Sequence, residues 1–314
     1  MTGGFSRAVA ALALLCLSGF AVYPSYVVLD HTDYVTGRTF RAVSIEDYQL
    51  ALAGQAPFPY QWRMLGPWAV SLGSRTTGAD PHAVDVTLKI TALAISAWAL
   101  ALVAASIVPP AGVTAAVGLY LLLSAAAYAS QGYSIYYTSD YLMIAGWFWA
   151  VYFASRGRWG LVALVTFASA WAKETLLLAP LLMAFRWRRG EVGLAPVAMV
   201  ATAFAVPILA LHSMYRAPVD QWAWWHMTSV NVPFLNWDRT AIALALRHNA
   251  KVLLFYNVGW WLAVRGARRI RDGFVRDLAL TLGLYLALAY VVVYIRELRH
   301  FLPLAIALIP IALR

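Results

Sequence analysis

The chain holds a single cysteine, Cys16, and that scarcity alone rules out an intramolecular disulfide and a cysteine metal cluster. Nor do His31, His212 and His248 have a mutual spacing that reads as a metal site. Charge is nearly as sparse: only 12% of the 314 residues are Asp, Glu, Lys or Arg, and 14 are acidic. No ordinary soluble domain has so little. There is also no internal repeat, no low-complexity tract and no linker long enough to separate two domains.

What the chain has is apolar surface. It is 62% hydrophobic with 14 Trp, and its mean hydropathy is +0.67. These values predict an all-α polytopic membrane protein, a single integral domain over 1–314. The formal charge of +10 invites a nucleic-acid reading, but the basic residues cluster between apolar runs. That is how the positive-inside rule arranges them, so no nucleic-acid partner is inferred.

Taken in order, Ala8 to Leu29 is an anchor behind Arg7, too long for a signal-peptide core and without a clean small-x-small exit. A polar outer loop over 30–81 follows, with an amphipathic stretch from Trp62 to Leu72 at the interface. His82 to Val108 crosses inward, turns at Pro109-Pro110, and Val113 to Ser130 returns to a tyrosine-rich outer loop; Tyr141 to Ser155 goes back in. Trp159 to Phe185 has arginines at both ends yet is too short for two full crossings, so it reads as a hairpin of two short helices with Lys173-Glu174 at the tip. Val192 to His212, Thr240 to Val264, Phe274 to Tyr294 and a short run from Leu302 to Leu313 complete about ten membrane segments, half-helices included. This order puts the N-terminus and Arg156, Arg158, Arg186, Arg188, Arg189, Arg265, Arg268, Arg269 and Arg271 on the cytoplasmic side of a plasma (inner) membrane.

Against that background the polar residues stand out. Ser44 to Trp68 combines Glu46 and Asp47, a helix ended by Gly54, a segment stiffened by Pro57 and Pro59, and then Tyr60, Trp62 and Arg63. The acidic pair has two readings: the first turn of a helix capped by Ser44, or a catalytic base beside an arginine and aromatics. Asp140 is either the N-cap of the span it begins or a second acid on the same cavity. Lys173 and Glu174 could pair with each other, but burying charge costs several kcal/mol per ion, which favours a functional cavity. Arg296, Glu297, Arg299 and His300 are interfacial charges at a helix end or, being basic on the disfavoured face, an anion site. Trp222, Trp224, Trp225 and His226 read as an aromatic belt in preference to a sugar-stacking surface.

These residues resemble the GT-C superfamily of membrane glycosyltransferases. The likeness rests on Asp47-Tyr48, Gly54 and Pro59-Tyr60-Gln61-Trp62-Arg63-Met64-Leu65-Gly66-Pro67; on Thr138-Ser139-Asp140 with the Arg156-Gly157-Arg158 turn; and on Lys173-Glu174-Thr175 to Pro180 with Arg296 to Pro303. In order and topology it covers nearly the whole chain. It implies transfer of a sugar from a polyprenyl-phosphate donor to a hydroxyl of a lipid or glycan acceptor on the outer face. Asp47, with Glu46 as rival, would be base or metal ligand; Arg63, Arg296, Arg299 and His300 would hold the donor phosphate. Tyr48, Tyr60, Trp62, Asp140, Lys173 and Glu174 would line the cavity. A divalent cation, Mg or Mn, between Asp47 and another outer carboxylate is compatible with this and not indicated by it. The chain is short and lacks the soluble C-terminal domain many members carry, which argues against a large protein acceptor. The competing readings are a transporter or flippase of a lipid-linked or anionic substrate, and a polysaccharide polymerase or ligase.

Overall fold

A computed structural model describes residues 2–32, 37–56, 63–129, 134–214, 239–267, 272–292 and 297–314. Among them the chain is helical, its one extended pairing an isolated bridge between Thr32 and Thr39. Four helical stretches are long and apolar enough to cross a membrane: Val9–Asp30, Pro81–Ala104, Pro110–Tyr128 and Leu194–Met214. Shorter apolar helices fill in between them.

The first helix, α1, is Thr2–Val27, followed by a 3-10 turn to Asp30. Then come α2 (Phe40–Leu52), α3 (Leu65–Thr77), α4 (Pro81–Ala104), α5 (Pro110–Ala129) and α6 (Tyr137–Ser155). Helix α4 starts where it does because the Asp80 carboxylate accepts the amides of His82 and Ala83 and Pro81 occupies the first helical position. Gly78, at φ +69°, ends α3 in the left-handed conformation that costs glycine nothing. Next are α7 (Trp159–Ala170), a 3-10 turn over Glu174–Leu177, α8 (Leu178–Arg188) and α9 (Leu194–Met214). The interruption at Lys173-Glu174 therefore stands between two short helices, as their spacing predicts.

Two expectations need correction. Thr240 to Val264 is not one rod: α10 (Arg239–Tyr256) and α11 (Val258–Ala267) meet at Asn257, whose φ is +45°. Asparagine tolerates that backbone better than other non-glycine residues. Nor do Glu46 and Asp47 open α2. The helix begins a turn and a half earlier, capped by Thr39, whose hydroxyl accepts the Ala42 amide at 3.3 Å. Ser44 is buried and meets His82 Nε2 at 2.8 Å instead, fastening α2 to the start of α4.

The chain closes with α12 (Gly273–Val292), a 3-10 helix over Leu298–Leu304 and α13 (Ala305–Ala312). Pro303 inside that 3-10 segment removes a donor. Side chains from three helices take up the carbonyls there: Tyr285 donates to His300, Tyr256 to Phe301 and Trp147 to Pro303. Residues 298–304 are thus fixed in place without a regular helix ladder.

Helix α6 lies at the centre, packed on α4 and α7, with Trp147, Phe148, Val151 and Ala154 fully buried. The approach to α7 is close at Gly146, where an added Cβ would overlap the Ser169 side chain. Gly146→Ala should therefore cost about 1–3 kcal/mol by overpacking, read by denaturant or thermal unfolding of the purified protein. Unchanged stability would mean that the two helices can separate freely there.

With 19 residues, α6 spans about 28 Å and so defines two ends of the bundle. At its far end, Arg186 donates to the Ala154 carbonyl and lies over the Trp159 and Phe274 rings, while Arg189 donates to Gly273. The near end is of a different kind.

Candidate functional site

The site is built around residues 134–140, the stretch leading into α6. Nearly every side chain in it reaches a different part of the molecule. Tyr136 donates its hydroxyl to the Asp47 carbonyl in α2 at 2.8 Å. Tyr137 presents its ring to the Arg299 guanidinium, 4.0 Å from the centroid. Thr138 donates to Asp85 in α4, and Ser139 donates to the Arg63 carbonyl at 3.0 Å.

Asp140 follows, and it is not an N-cap. The helix has already begun at Tyr137, and each carboxylate oxygen takes a cation instead: Lys173 Nζ at 2.6 Å from Oδ1 and Arg299 Nε at 2.9 Å from Oδ2. All three side chains are no more than 3% exposed. Arg299 also holds Glu297 at 2.7 Å. His300 completes the ring, with Nε2 at 2.8 Å from Glu297 and Nδ1 at 3.2 Å from Lys173 Nζ. A neutral imidazole protonated on Nε2 satisfies both contacts at once, donating to the carboxylate and accepting from the ammonium.

Lys173 and Glu174 do not pair with each other. Lys173 is extended, at φ −167° and ψ 142°, just before the 3-10 turn, and the two neighbours diverge. Glu174 goes to Arg63 Nη2 at 3.1 Å. The Arg63 side chain is buried whereas that of Glu174 is 48% exposed, so this pair can exchange partners more readily than the Asp140 cluster. Arg63 is placed by backbone as well: the Leu65 amide donates to the Trp171 carbonyl at 3.1 Å, pinning the start of α3 to the hairpin tip.

Seven of the residues singled out in the sequence thus converge: Arg63, Asp140, Lys173, Glu174, Glu297, Arg299 and His300. The acidic pair behaves differently. Glu46 is exposed and paired with Arg38. Asp47 is half-buried, and its carboxylate makes no ion pair among the described residues. Burial, and then the neighbouring Glu46 charge, push its pKa up from 3.8 to about 6. Tyr48 is part-buried in the same helix. Tyr60, Trp62, Arg296 and the tryptophans of 222–225 with His226 lie outside the described residues.

The residues a reading of the sequence passes over are Asp85 and Lys89, an ion pair at 2.6 Å inside the apolar helix α4. Their signal was available, since ionisable residues four apart in such a run are rare without a purpose. Among the described residues no three His, Cys, Asp or Glu side chains group as a metal site. No protein-family model, no curated protein and no solved structure matches this chain.

Proposed function

We propose that this protein is a membrane glycosyltransferase of the GT-C kind, moving a sugar from a polyprenyl-phosphate donor to a hydroxyl of a lipid or glycan acceptor. One observation carries the reading: a half-buried carboxylate with no ion pair among the described residues, Asp47, is tied by Tyr136 to a stretch that also holds buried Arg63, Lys173 and Arg299. That is the division of labour the chemistry needs. Asp47 takes the proton of the acceptor hydroxyl as its oxygen attacks the anomeric carbon. The bond from that carbon to the phosphate oxygen breaks, its electron pair stays on the phosphate, and the cations stabilise the charge that develops. Arg63 is the first phosphate ligand in this scheme, because its partner Glu174 is half-exposed and can be displaced. Lys173 and Arg299, held by Asp140, supply a fixed field.

The arginine-rich opposite end supports a cytoplasmic side there and an outer-face site at the Asp140 end, in an inner membrane crossed by about ten segments. The test is purified protein in lipid with a panel of labelled polyprenyl-phosphate sugars, scoring label released from the carrier with and without EDTA. Release with the label recovered on an added lipid or glycan acceptor establishes transfer, and the EDTA arm reports metal dependence. No release from any donor by folded protein sinks the reading.

A second reading is favoured by the break at Asn257, which gives the later half an interrupted helix to match the hairpin at Lys173. Broken helices in both halves are a transporter feature. Uptake of a lipid-linked or anionic solute into proteoliposomes, without bond cleavage, would replace the enzyme by a transporter.

A further inference from the structure

Helix α4 carries Asp85 and Lys89 at 0% and 1% exposure, in an otherwise apolar run. Burying such a pair is costly compared with apolar residues of the same size, and α4 already packs closely on α6, where Trp149 donates to the Ile95 carbonyl at 3.2 Å. The packing of the two helices does not need the charges.

What the pair touches is specific. Lys89 Nζ donates to Asp85 at 2.6 Å and to the Ser134 carbonyl at 3.1 Å; Thr138 donates to the other Asp85 oxygen. The Ser134 carbonyl is the one that also accepts the Tyr137 amide and so opens the first turn of α6. Between these two anchor points lie Tyr136, which holds Asp47's helix, and Tyr137, under Arg299. Directly after them come Ser139, on Arg63, and Asp140, on Lys173 and Arg299.

We infer that Asp85, Lys89 and Thr138 are positioning residues that clamp the first turn of α6 and thereby fix the distance between Asp47 and the Asp140 cations. The inference rests on the proposed transfer reaction for its kinetic consequence and on geometry alone for its structural one. The clamp touches no substrate. It acts by holding two groups that must converge on the same reacting centre, where a misplacement of about 1 Å costs on the order of 100-fold in rate.

The variants that test this avoid stranding a charge. Asp85→Asn with Lys89→Met neutralises both partners together; Thr138→Val removes one hydroxyl at constant shape; Thr138→Ser keeps it. In transfer assays the first two should lose at least tenfold in kcat with KM for the donor within about threefold of wild type, while Thr138→Ser stays within about twofold. Amide exchange of the same proteins in lipid should show a tenfold or greater loss of protection confined to 134–140, with the rest of α4 and α6 unchanged. Wild-type kcat and wild-type exchange in the double variant would overturn the proposal, as would protection lost throughout α4, the mark of plain structural support. If the wild-type protein transfers no sugar, the functional reading fails by itself and the exchange measurement still decides whether the clamp exists.

Discussion

Asp140→Asn should lower the stability of the folded protein by about 3–5 kcal/mol, the cost of breaking a buried ion pair by removing one partner. The substitution is nearly isosteric, so shape is not the cause. What changes is that Lys173 and Arg299 lose the charge that each meets within 3 Å. Arg299 retains Glu297 at 2.7 Å, whereas Lys173 is left with a neutral His300 nitrogen at 3.2 Å. Lys173 is therefore the stranded group, and Lys173→Met added to Asp140→Asn should recover most of the loss. The four proteins form a double-mutant cycle, read by denaturant unfolding in detergent or bicelles. A cost below about 1 kcal/mol for Asp140→Asn, or no recovery in the double variant, would mean that the cluster is solvated and that Asp140 is not its anchor.

The same cluster marks what could be read from the chain and what could not. Ionisable residues are expensive at membrane depth, so Arg63, Asp140, Lys173, Glu174, Arg299 and His300 announce themselves against an apolar background. Their pairing does not. Lys173 and Glu174 are adjacent in sequence and invite a mutual ion pair, yet an extended backbone before the 3-10 turn sends one to Asp140 and the other to Arg63. Residues 140, 173 and 299 carry no spacing that would reveal a shared site; only the packing of the hairpin and the 3-10 segment on α6 unites them.

Local signals misled in two places. Ser44 fits a cap for a helix opening at Glu46, but Thr39 makes the same kind of hydrogen bond earlier, and the contact with His82 uses Ser44 for tertiary structure. The residue at the break, Asn257, is neither glycine nor proline, so Thr240 to Val264 reads as one crossing even though Arg247, His248, Asn249 and Lys251 interrupt it and Gly259 follows two residues on. Asp85 and Lys89 show the opposite failure. The spacing was visible, and a helix that looks like an ordinary crossing hides it.

On the proposed mechanism, Asp47→Asn should lower the kcat of transfer by about 10²- to 10⁴-fold, while the protein remains folded in the membrane. The pH dependence makes the prediction sharper. With its pKa pushed up to about 6, chiefly by burial, Asp47 becomes a competent base only as the pH rises through that value, so the rate should climb between pH 5 and 7. Stability should move the other way. A carboxyl whose folded pKa lies above its unfolded value of 3.8 binds its proton more tightly in the native state. Its contribution is full below about pH 4 and is lost as the pH rises through about 6. The activity thus appears over the interval in which this increment of stability disappears, as expected of a base kept partly desolvated for its reaction. Glu46→Gln removes the second cause of the shift, so the midpoint of the rate profile should fall while its height holds. Rate profiles of the three proteins, with unfolding measured at pH 4 and pH 7, check both halves. A flat wild-type profile, or an Asp47→Asn protein that transfers at the wild-type rate, would remove Asp47 from the chemistry and require another group to take the acceptor proton.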